Sequence, residues 1–157
     1  MKYFLPEFDL SDPNLTREER DFKERQWELA CKEYDDYMQK NLKIFSKSFL
    51  NEYRNGGFHD YRIVKIDFDF TFDKKKREKL NITICLEHNK KYYYFIHEGV
   101  INYNASIEDV CGVFLNGYLY GEYYKDKDKL WHHNFLFGSF YDMNITCKKF
   151  IYKEDKQ

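Results

Sequence analysis

Few residues in this chain have the type and spacing to do chemistry, and each set has a plainer reading beside it. His59-Asp60 is a metal-ligand pair in some phosphohydrolases, but no further His or Asp follows at ligand spacing. The pair sits between two glycines and an alternating segment, where Asp or His side chains usually bond turn backbone. His132-His133 are adjacent on a predicted strand and point to opposite faces, so they cannot chelate one ion together. One of them could meet His59 or His97 in space. Asp67 and Asp69 share a strand face about 7 Å apart, yet that face also carries Lys65 and Thr71 and reads as solvated surface. No G-x-S-x-G elbow, Gly-rich phosphate loop or H-E-x-x-H helix occurs. The sequence therefore names no catalytic residue, metal site or cofactor.

Lys74-Lys75-Lys76-Arg77 is a basic cluster at a predicted hairpin tip. Charged residues make up 34% of the 157, but they cancel to a net charge of −1. That balance lacks the electrostatic footprint of a nucleic-acid binder, so no nucleic-acid partner is expected. The tip reads as an edge protected by charge.

The elements that position these residues follow from periodicity. Residues 1–15 form an irregular lead-in holding both prolines. Thr16 and Glu19 fit a capping box. From Thr16 to Asn55 there is no Gly or Pro, and Trp27, Cys31, Tyr34, Met38, Leu42, Phe45, Phe49 and Tyr53 recur in steps of four and three. That stripe predicts one amphipathic helix over 16–55. At 1.5 Å per residue it would run about 55–60 Å, longer than the roughly 40 Å of a domain this size. The unbroken phase favours a continuous, curved helix over a break near Gln39–Leu42. Asn55-Gly56-Gly57 ends it.

The period then changes to two. Val64, Ile66, Phe68, Phe70 and Phe72 alternate with polar residues, predicting a strand with the apolar face buried. Leu80 to Leu86 returns as its hairpin partner. Lys91 to His97 and Val100 to Tyr103 read as two further strands, parted by Gly99. Ser106 to Asp109 reads as a helical turn. Gly112 to Tyr124 reads as a strand in which Gly117 and Gly121 mark a bulge or close backbone approach. Leu130 to Phe137 and Phe140 to Tyr152 close a hairpin across Gly138-Ser139, with a bulge near Lys148-Lys149 correcting the phase. Residues 153–157 form a tail.

The predicted fold is α+β: a long N-terminal amphipathic helix packed on a mainly antiparallel meander sheet of about seven strands. It forms a single domain over 1–157, with the sheet over 58–152. Cys31, Cys85, Cys111 and Cys147 are widely spaced and read as reduced thiols. With no run long enough to span a membrane, and with no export signal, the chain is expected in the cytoplasm.

Phe58-His59-Asp60-x-x-Ile63-x-x-Ile66, then Gly117-Tyr118-Leu119-Tyr120-Gly121-Glu122, Leu130 to Phe137, and Asp142-Met143-Asn144-Ile145-Thr146, together resemble a loose group of small bacterial proteins. Some of these are classed with immunity proteins of polymorphic-toxin systems. The resemblance spans about residues 58–152. It implies a protein that covers a toxin's active surface, and it carries over no catalytic residue.

Composition points the same way. Fifteen Tyr and fifteen Phe exceed what one sheet face can bury, and Tyr is favoured at interfaces. The expected function is a non-enzymatic protein-interaction domain with a protein partner or a second copy. Its expected surface is Tyr92, Tyr93, Tyr94, Tyr118, Tyr120, Tyr123 and Tyr124. The alternative is a metal-dependent hydrolase or small-ligand-binding protein with a pocket between helix and sheet, built from His59, Asp60, His132 and His133.

Overall fold

The structure is a computed structural model that describes residues 2–3, 13–72, 74–105, 117–137 and 141–155. The helical turn expected at Ser106–Asp109, the strand expected from Gly112 as far as residue 116, Cys111 and the Gly138-Ser139 turn lie outside these residues, as does most of the lead-in.

The chain is α+β, with an N-terminal helical region followed by a six-stranded antiparallel sheet. Contacts divide it into two compact units, residues 1–45 and 46–157. The boundary falls inside the segment that periodicity reads as one helix.

In the first unit, α1 spans Arg17–Lys40 and opens on the expected capping box. The Thr16 hydroxyl accepts from the Glu19 amide at 3.3 Å, and the Glu19 carboxylate accepts from the Thr16 amide at 2.9 Å. Ala30, Tyr34 and Met38 are buried, and the Tyr3 ring lies 5.1 Å from that of Tyr34. The helix does not run on to residue 55. At its end, the Asn41 side-chain amide donates to the Tyr37 carbonyl at 2.8 Å. A 3-10 turn follows over Leu42–Ile44. Asn and Ser side chains compete for backbone groups and so favour helix ends. The spacing of the apolar stripe survives the break, which is why periodicity alone does not reveal it.

The second unit begins with Ser46 capping a new helix, α2 (Lys47–Arg54), through the Phe49 amide at 3.2 Å. Gly56 and Gly57 follow with φ of 110° and 69°. The Gly57 amide bonds the Glu52 carbonyl at 3.1 Å, closing the helix end as expected.

The strands are β1 (Arg62–Phe72), β2 (Glu78–His88), β3 (Lys91–Ala105), β4 (Tyr118–Lys125), β5 (Trp131–Phe137) and β6 (Tyr141–Glu154). Among the described residues there are six, where the sequence predicts about seven, because β3 runs unbroken through Gly99. That glycine takes φ of 62°, and its amide bonds the Asn81 side chain at 2.9 Å. The glycine is thus a kink within one strand and does not separate two. The order β1-β2-β3-β6-β5-β4 is also not a continuous meander: two three-stranded meanders join where β3 pairs β6.

The bulge expected near Lys148-Lys149 takes a different form. The inward phase does change there, since Met143, Ile145 and Cys147 are buried and so is Tyr152. Pairing of β3 with β6 nonetheless continues through Glu98↔Lys149 and Val100↔Cys147, and the register shifts on β3 between Val100 and Asn102. The phase change in β6 is matched by the Gly99 kink opposite it. The expected tail is shorter than predicted. Glu154 pairs with Tyr93, and the Asp155 amide bonds the Tyr92 carbonyl at 2.9 Å.

One sheet face forms the core of this unit. Ile82, Ile84, Leu86, Phe95, Phe135, Ile145 and Cys147 are almost fully buried on it. Phe49 of α2 covers part of that face, edge-on to Tyr123, Phe150 and Tyr152 at 4.9–5.9 Å. Ahead of β1, Tyr61 bridges to Tyr118 at the start of β4, so the sheet curls until its first and last strands meet at one corner.

Candidate functional site

Two features of the sheet unit stand out as sites: a buried chain of polar rings, and a bare strip of apolar ones.

The buried chain is set by register. His97 on β3 and His133 on β5 both face inward, at 0% and 1% exposure. Their rings are nearly parallel, edge to edge, with centroids 5.0 Å apart. His97 Nδ1 lies 3.0 Å from the Ile82 carbonyl, which can only accept, so this nitrogen carries a proton. Burial pushes the His97 pKa down from 6.5 to about 4, which keeps the ring neutral and leaves Nε2 as an acceptor. His133 Nδ1 therefore donates to it at 2.8 Å. Burial, and then the neighbouring His97, hold the His133 pKa well below its usual value. Its Nε2 accepts from the Tyr118 hydroxyl at 3.1 Å. The Tyr118 oxygen, its proton already committed, accepts from the Tyr123 hydroxyl at 2.5 Å. Burial also raises the Tyr118 pKa strongly. Every proton in the series Tyr123, Tyr118, His133, His97, Ile82 carbonyl is thus assigned by its neighbour.

Gly121 makes the arrangement possible. A Cβ there would lie 1.5 Å from the Tyr118 hydroxyl oxygen. The close approach that the sequence predicts at this glycine is therefore the passage of the Tyr118 ring over the β4 backbone. Gly117, with φ of 73°, precedes the register shift between Tyr118 and Tyr120, which is the expected bulge. Among the described residues, no buried side-chain nitrogen or oxygen lacks a partner. A fully satisfied neutral network of this kind specifies a core.

The four residues of the alternative pocket are dispersed among other roles. His59 Nδ1 bonds its neighbour Asp60 at 2.7 Å, both exposed, and the Asp60 amide bonds the Tyr118 carbonyl at 2.9 Å. This is the turn reading of the pair. His132 faces away from the core, as alternation requires. It bonds Asp126 at 2.9 Å and stacks on Tyr124 at 4.7 Å. That bond to His132, followed by the Leu130 amide, holds the Asp126 carboxyl below its usual pKa. His133 belongs to the buried chain, joining His97, one of the two partners that the sequence left open. No group of three His, Cys, Asp or Glu that could hold a metal occurs among the described residues.

No family model and no curated protein matches this chain.

The tyrosine surface that the sequence predicts needs correcting. Tyr93, Tyr118 and Tyr123 are buried at 7%, 2% and 1% exposure, because they face the core and pack against Tyr61, Phe95 and His133. Tyr92 is exposed, while Tyr94, Tyr120 and Tyr124 are half-buried.

The exposed aromatic surface lies elsewhere, on residues that the sequence assigns to a buried face. Phe68, Phe70 and Phe72 are 48%, 59% and 69% exposed. They share the face of β1 that carries buried Ile63, since Phe68 pairs with inward-facing Ile82 and Phe70 with Leu80. Ile101 and Tyr103 on β3 are similarly bare, and the Tyr103 ring lies 5.5 Å from Phe68. The core-facing side of the sheet thus continues beyond the cover of α2 as an open apolar strip. The exposed Lys74, Lys75, Lys76 and Arg77 stand at its end. The sequence signal for the strip was present in the Phe-x-Phe-x-Phe run. Its exposure was not legible, because edge position is a property of strand order.

No helix among the described residues is long and apolar enough to cross a membrane. Cys31, Cys85 and Cys147 are free thiols. Burial raises the pKa of each, and that of Cys147 to about 12, so none has the lowered pKa of a nucleophile.

Proposed function

We propose that this protein is a non-enzymatic protein-interaction domain that binds its partner through the aromatic strip of β1 and β3. The observation that carries this reading is the contiguity of Phe68, Phe70, Phe72 and Tyr103, each about half or more exposed on one sheet face. Isolated exposed apolar residues are ordinary, but a contiguous patch marks an interaction surface. The basic tip at residues 74–77 gives the patch a charged rim, the usual arrangement of an interface.

In its specific form, the proposal is an immunity protein of a bacterial cytoplasm whose strip covers a toxin's surface. The sequence resemblance over residues 58–152 supports that form. An acidic patch on the toxin would complement the lysines of the tip.

The test compares wild type with the double variant Phe70→Ser/Phe72→Ser as affinity baits in an extract of the native host. The expected result is a partner retained by wild type and lost by the variant, with both proteins giving the same circular dichroism and melting temperature. Recovery of the same proteins by both baits would overturn the reading.

A further inference from the structure

Strand β1 ends the sheet, and among the described residues its ladder runs to β2 alone. Its outer row of N–H and C=O groups is a template for another strand. Resting on the reading of β1 and its aromatic face as a binding surface, we propose that the outer edge of β1, as distinct from that face, is occupied by β1 of a second copy. The two strands pair antiparallel about a two-fold axis at Asp67.

The register supports this choice. A two-fold axis perpendicular to a sheet keeps each side chain on its own face, so only residues of like parity can oppose one another. β1 spans Arg62–Phe72, and its midpoint is Asp67, so the register that overlaps the full strand places the axis there. In that register, Lys65 opposes Asp69 of the second copy on the polar face, and Asp69 opposes its Lys65. On the apolar face Ile66 opposes Phe68 in both directions. Opposite charges and apolar pairs directly across a ladder each stabilise it.

Asp67 meets its own copy on the axis, which by itself repels. Each Asp67 already carries a counter-charge, because Lys65 Nζ lies 2.8 Å from its carboxylate. The register shift between Ile63 and Lys65 bends the strand start away, so the matched core is residues 65–69 of each copy. The basic tips do not interfere. β1 ends at Phe72, five residues from the axis, so the two strand ends that carry the tips stand about 33 Å apart, several screening lengths at physiological salt. The aromatic strips of the two copies then join on one side of a continuous sheet, and Phe68 is covered by Ile66 of the other copy. A closed pair removes the exposed edge from both chains.

Sedimentation equilibrium of the full chain, with cysteine cross-linking, tests the pairing. Wild type is expected to dimerise. Lys65→Asp and Asp69→Lys, each creating two like-charge oppositions, are expected to weaken the dimer about tenfold, and the double charge swap to restore it. Asp67→Cys is expected to form a disulfide-linked dimer on mild oxidation, whereas Thr71→Cys and wild type do not. A wild-type monomer at all concentrations, or dimers that resist both single charge reversals, would overturn the proposal. If the monomer still loses its captured partner through Phe70→Ser/Phe72→Ser, self-pairing falls while the strip remains the binding surface. If wild type dimerises as described but no partner is captured, self-pairing stands alone.

Discussion

Phe68, Phe70 and Phe72 on β1 and Tyr93, Phe95 and His97 on β3 follow the same alternation and lie on the same sheet face. The first three are about half to two thirds exposed, and the last three are at most 7% exposed. The difference lies in neighbours. β3 is flanked by β2 and β6, and the rings of Phe58 and Tyr152 lie within 6 Å of Phe95. Among the described residues β1 pairs along its length with β2 alone. Alternation therefore fixes which side chains travel together, and strand order fixes whether water reaches them. One region became a core that can afford polar rings because each is satisfied. The other remained an exposed apolar surface.

Three measurements sharpen that contrast. The largest effect is expected at Phe95. Phe95→Ala removes a fully buried ring and should cost about 3–5 kcal/mol of unfolding free energy. Phe70→Ala on the same face should change it by less than about 0.5 kcal/mol. Denaturant unfolding of both variants checks the pair, and equal losses would show that the strip is packed in solution.

Acid comes next. His97 has a folded-state pKa of about 4 against 6.5 in the unfolded chain, and His133 is shifted in the same direction. Between those values the unfolded state binds protons that the folded state excludes. The stability that neutral His97 contributes is therefore full above pH 6.5 and is lost as pH drops toward 4, with His133 adding to the loss in the same direction. His97 alone contributes roughly 3 kcal/mol across the window. Unfolding curves from pH 7.5 to 4 should show the decline, and a flat profile would mean that the pair is solvated. No such slope is expected from the strip, which holds no titrating group in this range.

Gly121→Ala is expected to be smaller, because the Tyr118 ring can shift. It should cost about 2 kcal/mol, within the usual range for overpacking, and should displace the hydroxyl from His133. The NMR signals of the His133 ring would report that loss, and an unchanged spectrum would rule out the close approach.

Much of the local structure is legible in the sequence. The capping box at Thr16, the glycine stop at residues 56–57, the switch of period, and the roles of Gly117 and Gly121 each depend on a few neighbouring residues. The helix break at Asn41–Ser46 was harder to see, because an apolar stripe can keep its spacing across a kink. The candidate sites were barely legible. His97 and His133 are separated by 36 positions and met only as one of several open pairings. Three of the tyrosines that composition assigns to the surface, Tyr93, Tyr118 and Tyr123, are buried.

The sequence by itself determined which residues coil, which alternate, and which side chains share a face, because those follow from backbone geometry and nearest neighbours. Only the tertiary structure decided that β3 joins β6, that His97 finds His133, and that β1 stands at an edge. Those outcomes depend on how distant strands choose partners, a choice set by the packing of whole faces and written in no single stretch of chain.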